Sequence, residues 1–523
     1  MGERGYTGAV FTHRYAFPVI SGILLALVFY PFYAWPLVFV ALAPFFYFAG
    51  AHQSRKELFW GGFITGSIGI GPTVFSSLLQ MRTLIGSETF SYLVRASSVP
   101  MLLLIACVFG FVALGFGKLR TSSLLYNSLI GAALYGAYEI FFSHLLDGYY
   151  LPALSYATAS FSFMLAFASI GGAISASMLI AWINSGLAEV ARARIERRIW
   201  PYKSIAVACA FFLALMCLAT ICAPHGARIG TTLSASIIQE PYVNPQDAAL
   251  GTYANGTFSH PKLAQWLKEA EGTDLIIYPF TPFNGAAYDT ASSSLSNPIA
   301  AVPEAAVGEW AAQQVSASTT VLLWESSVRN GKLYDEYALW KGNAESTYTK
   351  RIRYPLSDYA PAWTAPWNLY GHTYAIEAGD ANNQPEVSGV PFGGLICSEL
   401  HQSALARSEA LRSPFIVAVG SDAMFPNDLV GNFSLAAARF RAAENGIAIA
   451  RGNMNGPSAF INADGSLQSS LAYGKPGVLQ GTLPLDLHQH TLYAIWGNWL
   501  AYAFVALILS IAFLSLRRRA TAR

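Results

Sequence analysis

The sequence predicts a polytopic α-helical membrane domain of about eight spans joined to one large extramembrane α/β domain of layered sheets. Three observations predict it. Hydrophobic residues make up 54% of the 523 residues and charged ones 12%, against roughly 25% charged in a soluble globular chain, and mean hydropathy is +0.38. Eight runs approach the roughly 20 mainly apolar residues that a helix needs to cross the hydrocarbon core. Between the seventh and eighth runs lies a long polar segment with strand and helix patterns of its own.

The apolar runs cover 16–33, 35–50, 59–79, 100–116, 124–142, 161–183, 204–222 and 495–516. Pro31 and Pro36 interrupt the join of the first two and imply a tight hairpin there. Core helices of a soluble protein would carry polar faces that these runs lack. Basic residues gather at alternate ends of the runs: Arg4 and Arg14, then Arg55 and Lys56, Lys118 and Arg120, Arg192 to Lys203, and Arg517 to Arg519. Because Lys and Arg are retained on the cytoplasmic side, both termini are expected in the cytoplasm, with the polar segment on the opposite face. No small-residue cleavage site follows the first run, so it is expected to be kept as a span. The expected division is 1–223 with seven helices, 224–493 outside the bilayer, and 494–523 as a last span with a basic tail.

Within the polar segment, β-rich runs at 234–239, 274–280, 319–325, 337–340, 415–420 and 447–451 alternate with helical stretches, clearest at 262–271 and 433–446. Asn462 to Gly465 reads as a turn between two late strands. The stretch 280–308, rich in Ala, Ser, Pro and Asn, reads as a loop or lid. A net charge of +2 shows no basic footprint, so no nucleic-acid partner is expected. The histidines have no metal-ligand spacing, and no phosphate-loop, dinucleotide or zinc motif occurs. No metal and no cofactor are expected.

Four of the five cysteines, Cys107, Cys209, Cys217 and Cys222, fall within or at the ends of apolar runs, where they read as small apolar filler. Cys397 stands alone outside them. One cysteine cannot build a disulfide framework, and an unpaired thiol in an oxidising compartment invites a reactive role. Cys397 ends the apolar run 393–396 and is followed by Ser398 and Glu399. That places the sulfur at a strand end, the usual mouth of an α/β active site.

Here the residues carry a resemblance. Gly394-Leu395-Ile396-Cys397-Ser398-Glu399 resembles the nucleophile segment of the apolipoprotein N-acyltransferases, membrane-embedded members of the nitrilase superfamily. Tyr348-Thr349-Lys350-Arg351, running through Pro355 to Asp358, Tyr359 and Pro361, is similar to the family stretch that supplies the catalytic lysine and, eight residues on, a second carboxylate. Phe440 to Gly446, Ala450 to Asn453 and Ala459 to Asn462 are similar to the family's arginine-alanine-glutamate helix and the strands after it. Ser421-Asp422-Ala423-Met424-Phe425 resembles the aspartate-alanine-tryptophan-phenylalanine segment. The layout of seven spans, one domain and a last span agrees as well.

The resemblance implies a nitrilase-like αββα sandwich on the periplasmic side of a bacterial inner membrane. It also implies an N-acyltransferase that takes an acyl chain from a phospholipid and passes it to the amino terminus of a lipoprotein. Cys397 would be the nucleophile, forming a thioester that splits a difficult transfer into two easier steps. Lys350 would favour the thiolate and then stabilise the oxyanion. Asp358 would orient Lys350, and Glu399 would fix the nucleophile loop.

One position departs from the family. Its general-base glutamate follows a segment that resembles Asp274-Leu275-Ile276-Ile277-Tyr278-Pro279, and here Phe280 stands next. Three readings follow. Another carboxylate has taken over, with Asp358 and Glu399 ahead of Glu240; or the reaction runs slowly on a thiolate sustained by Lys350; or the activity is impaired. The last describes a specialised membrane accessory or scaffold, for example in plasmid conjugal transfer. His401, four residues past Cys397, is expected to be structural, and Glu444 to buttress the site.

Overall fold

The computed structural model describes residues 15–29, 34–51, 54–80, 88–145, 153–196, 202–224, 230–241, 252–254, 257–279, 304–330, 332–355, 358–359, 376–380, 383–423, 425–486 and 490–521. The helical part begins with α1 (Ala16–Phe29), a 3₁₀ turn (Trp35–Phe39) and α2 (Ala43–Ala49). Then follow α3 (Arg55–Val74), which continues as a π turn (Phe75–Leu79), α4 (Glu88–Leu119), α5 (Leu124–Leu145), a 3₁₀ turn (Leu154–Thr158), α6 (Ser162–Ile195) and α7 (Tyr202–Cys222). By length and composition, Arg55–Leu79, Arg95–Leu119, Ser162–Ile195 and Ile205–Cys222 can cross a membrane, and Ala16–Phe29, Trp35–Ala49 and Trp499–Leu514 are shorter apolar helices.

Local chemistry sets the ends and breaks of these helices. The stretch expected as one run at 35–50 is divided, because Pro36 and Pro44 each start a new turn, where a fixed φ and a missing N–H are tolerated. Ser54 and Glu57 cap α3 reciprocally, with the Ser54 N–H donating to Glu57 at 2.8 Å and the Glu57 N–H to Ser54 at 3.2 Å. Helix α6 is central: 94% of its most apolar window is buried, against 6% for α7. It is broken at Gly172, whose φ of 80° and ψ of 173° leave the next turn to start afresh.

Glycine lets α3 and α4 pack with their backbones close, as small residues do in membrane helices. A Cβ at Gly62 would collide with the carbonyl oxygen of Phe109. Gly62→Ala is expected to lower stability by about 1–3 kcal/mol, the usual cost of overpacking. Thermal unfolding of the detergent-solubilised protein measures it, and an unchanged midpoint would contradict this close approach.

The α/β part runs β1 (Thr232–Gln239), the hairpin β2 (Thr252–Ala254) and β3 (Thr257–Ser259), α8 (Pro261–Glu269), β4 (Leu275–Tyr278), α9 (Glu304–Gln313), β5 (Thr320–Arg329), β6 (Lys332–Lys341) and β7 (Ala344–Thr349). It continues with the small pair β8 (Glu386–Val387) and β9 (Val390–Pro391), then β10 (Gly393–Ile396), a 3₁₀ turn (Cys397–His401), α10 (Ser403–Ala410), β11 (Phe415–Ser421) and α11 (Leu429–Asn445). Last come β12 (Ala448–Met454), β13 (Ser458–Ile461), β14 (Leu467–Leu471), β15 (Gly477–Pro484), α12 (Leu492–Trp496) and α13 (Trp499–Thr521). Two sheets form, ordered β15-β1-β4-β5-β6-β7 and β10-β11-β12-β13-β14.

The period-two alternation of strands sorts side chains into layers. From β4, Leu275 and Ile277 enter the core between the sheets, while Ile276 and Tyr278 enter the core under α8 and α9. The central core joins Leu322, Trp324, Tyr337, Leu339 and Tyr348 of the first sheet to Phe415, Val417, Val419 and Ala450 of the second. Helices α10 and α11 cover the outer face of the second sheet through Leu405, Ala406, Ala438 and Ala442. This is the αββα sandwich. Of the expected lid at 280–308, residues 280–303 lie outside the described residues, and the remainder belongs to α9 rather than to a loop.

Helix α11 serves both parts of the chain. Leu429, Phe433, Ala436, Phe440 and Ala443 pack into the core of the apolar helices, on faces other than those that meet the sheet. Polar bonds reinforce the join: an Arg441 N–H donates to the Tyr156 hydroxyl at 2.7 Å, and the Ala173 N–H donates to Glu444 Oε1 at 2.6 Å. Glu444 thus puts a carboxylate at the N-terminus of the helical stretch that restarts after Gly172, where the helix dipole favours negative charge. Arg441 pairs with Glu444, which balances this buried carboxylate.

Candidate active site

Cys397 leaves β10 with a φ of +55°. A non-glycine residue is held in this left-handed region only where its surroundings impose it, and such positions cluster at functional sites. What imposes it is visible in Glu399, which is fully buried. Its Oε2 accepts the Ile396 N–H at 2.8 Å, and its Oε1 accepts the N–H groups of Arg351 and Ile352, both at 2.8 Å. One carboxylate therefore ties the turn carrying Cys397 to the segment carrying Lys350. Burial raises the pKa of Glu399, and the bonds from Ile396 and Ile352 act against that rise. Two tyrosines brace the same region across the sheets, Tyr337 donating to the carbonyls of Leu395 and Val417 and Tyr348 to that of Gly394.

Lys350 follows β7 and is only 1% exposed. Read alone, a lysine between Thr349 and Arg351 passes for a solvated strand edge; the fold buries it between two acids. Its Nζ lies 2.6 Å from Asp358 Oδ2 and 3.8 Å from Asp335 Oδ2. Burial acts to lower its pKa, but Asp358, Cys397 and Asp335 raise it further, so the ammonium is held above the ordinary lysine range. Asp358 Oδ2 also accepts the Tyr354 N–H at 2.6 Å.

Asp335 is the residue that sequence reasoning missed. It sits in β6, buried, and its Oδ1 accepts the Trp324 indole N–H at 2.5 Å. Burial pushes its carboxyl up to about 7; Lys350 pulls it down and Asp358 pushes it up. A signal was present. Asp335 alternates with Leu333, Tyr337 and Leu339, residues of the face between the sheets, and an acid at an inward position needs a partner.

The thiol itself is pushed up to about 11, chiefly by burial, with Lys350 lowering it, Asp358 and Asp335 raising it, and the Ser398 N–H lowering it. Cys397, Lys350, Asp358 and Glu399, the four residues singled out in the sequence, are thus brought together. A small cleft opens beside Cys397, lined by Leu400, His401, Ser421, Asp422 and Arg451 among others. Burial and the charges of Arg441 and Arg451 push His401 down to about 3, so it remains neutral at ordinary pH. Its Nε2 lies 3.4 Å from the Ser434 hydroxyl. Asp422 is pushed up to about 6 by burial, against the pull of Arg451, with which it pairs at 3.3 Å.

Glu240 is placed elsewhere. It accepts the Tyr278 hydroxyl at 2.5 Å and faces His260 at 4.0 Å, and the carboxylates that act most on the thiol are Asp358 and Asp335. Phe280 and Met424 lie outside the described residues. An ammonium beside a partly exposed thiol, with a second carboxyl at hand, can stabilise a thiolate, bind a developing oxyanion and pass protons.

The chain is similar to known proteins along most of its length. Residues 21–186 match the family model described as apolipoprotein N-acyltransferase N-terminal domain, and residues 297–493 match carbon-nitrogen hydrolase. The chain is 24% identical to an apolipoprotein N-acyltransferase of Pseudomonas putida over 525 residues, covering 95% of each chain. It is also 24% identical to that of Pseudomonas syringae pv. tomato over 507 residues, covering 94% of each. Among solved structures it resembles a carbon-nitrogen hydrolase from Helicobacter pylori, with a TM-score of 0.34 at 16% identity over 49% of this chain and 89% of the other. It likewise resembles the nitrilase-superfamily member Nit3 of Saccharomyces cerevisiae, with a TM-score of 0.35 at 13% identity over 50% and 94%. The relatives and the apolar helices mark a bacterial membrane protein, and the relatives and domains support an acyltransferase function. The chain thus joins a segment that matches the N-terminal domain of apolipoprotein N-acyltransferases to one that matches carbon-nitrogen hydrolases, and it is similar to apolipoprotein N-acyltransferases along almost its whole length.

Proposed function

We propose that the protein is a membrane N-acyltransferase in which Cys397 takes an acyl chain from a phospholipid as a thioester and passes it to the amino group of a lipoprotein. Residues 224–493 then face the periplasm, residues 1–223 and 494–523 anchor them, and both termini are cytoplasmic. The observation that carries the reading is the buried ammonium of Lys350, set between Asp358 and Asp335 and acting on a thiol in strained backbone. A buried cation is costly unless it has work or partners, and here it has both. Lys350 meets the thiolate and then the oxyanion, Asp358 holds Lys350 in place, and Glu399 holds the nucleophile turn.

The test uses the full-length protein in phospholipid vesicles and intact-mass spectrometry. The wild type is expected to gain one acyl group on Cys397, and Cys397→Ala none. A wild-type protein that stays unmodified at every pH and with every phospholipid offered defeats the reading. It would favour a scaffold role, to which Phe280 already inclines.

A further inference from the structure

Acyl transfer through a thiol needs a group that takes a proton and returns it, and Phe280 cannot be that group. Four buried carboxyls come under consideration, and their bonds separate them. Glu399 has both oxygens occupied by three backbone N–H groups. Asp358 has one oxygen bound to both the Lys350 ammonium and the Tyr354 N–H, a charge-assisted arrangement that already occupies it. Glu240 is bonded to Tyr278 and lies by His260. Asp335 differs. One oxygen is fixed by Trp324, and the other stands 3.8 Å from Lys350 Nζ, beyond hydrogen-bond reach, so it is near the cation without being consumed by it.

Taking the thioester reading as given, we propose that Asp335 is the proton carrier of this site. Its Oδ2 receives the Cys397 thiol proton as the sulfur attacks the acyl carbonyl. When the tetrahedral intermediate collapses, the carbon–oxygen ester bond breaks and the same proton goes to the departing glycerol oxygen of the lysophospholipid. In the second half, Asp335 takes a proton from the attacking amine and returns it to the leaving sulfur as the amide bond forms. No proton or electron pair is left over.

The groups facing Asp335 are Lys350, Asp358 and Glu399, and together with burial they set where it titrates, at about 7. A base works when ionised, so acylation by the wild type is expected to rise as pH climbs through about 7.

The experiment reads two rates on the full-length protein, alkylation of Cys397 by iodoacetamide and its acylation by vesicle phospholipid, across pH. Asp335 raises the thiol. Asp335→Asn, which keeps an acceptor for Trp324, is therefore expected to leave alkylation as fast or make it faster. Acylation is expected to fall by roughly 10²- to 10⁴-fold, the usual worth of a proton carrier, and to lose its rise near neutral pH. Asp335→Glu, which keeps the carboxyl, is expected to recover part of the rate. A parallel fall in both rates would show that Asp335 only positions Lys350, and acylation at the wild-type rate in Asp335→Asn would give the proton to another group; either overturns the proposal. A wild type that alkylates but never acylates would instead remove the acyl-transfer reading beneath it.

Discussion

Lys350→Met is expected to slow acylation of Cys397 by at least roughly 10²- to 10³-fold, the usual loss when one oxyanion-stabilising group is removed. The reason is that Lys350 acts twice, first favouring the thiolate and then meeting charge on the carbonyl oxygen. Methionine keeps much of the side-chain volume and removes only the charge. Lys350→Arg is not expected to rescue the rate, because a planar fork with five donors does not fit a pocket shaped for a compact ammonium 2.6 Å from Asp358. The substitution also leaves Asp358 and Asp335 facing each other without a cation. Breaking a buried pair on one side costs about 3–5 kcal/mol, so thermal stability is expected to fall together with activity. Single-turnover acylation followed by mass spectrometry reads the first effect and a melting curve the second. Full acylation by Lys350→Met would remove this residue from the chemistry altogether.

The other large effect is expected at the join between the two parts of the chain. Arg441 lies buried on α11, paired with Glu444 and bonded to Tyr156 in the 3₁₀ turn Leu154–Thr158. Arg441→Met strands the Glu444 carboxylate in a buried site, again at about 3–5 kcal/mol. At a few degrees per kcal/mol for a domain of this size, the midpoint falls by on the order of 10 °C. Glu444→Gln added to it is expected to restore much of that loss. Glutamine removes the unpaired charge yet still offers an oxygen to the Ala173 N–H, and replacing both members of a buried pair is far milder than replacing one. If the double variant melts no higher than Arg441→Met alone, the buried charge is not the cause.

The membrane runs were legible in the sequence because lipid supplies no hydrogen bonds and tolerates few charges, so a span must be written as a continuous apolar stretch. Pro36 and Pro44 marked where one run would break, although only the structure shows two separate turns there. The break at Gly172 left no such mark, since glycine also occurs unbroken in α3, as at Gly62 and Gly66. Strands with clean apolar runs, such as β4 and β11, could be read directly. The exposed strand β14, with the sequence Leu-Gln-Ser-Ser-Leu, has no such run and was marked only by the turn before it.

Cys397 could be singled out from the chain itself, as a lone thiol at a strand end, whereas Lys350, Asp358 and Glu399 could be named only through the resemblance of their segments to a known family. Sequence alone determined that much: which segments must face lipid, where a lone thiol ends a strand, and which charges accompany it. Only the tertiary structure decided that Asp335 and Trp324, on neighbouring strands, complete the surroundings of Lys350, that Glu399 ties two distant turns together, and that Glu240 belongs elsewhere. The physical reason is that burial and distance set how a carboxyl titrates. Both are fixed when two sheets close on each other, and neither is encoded at any single position.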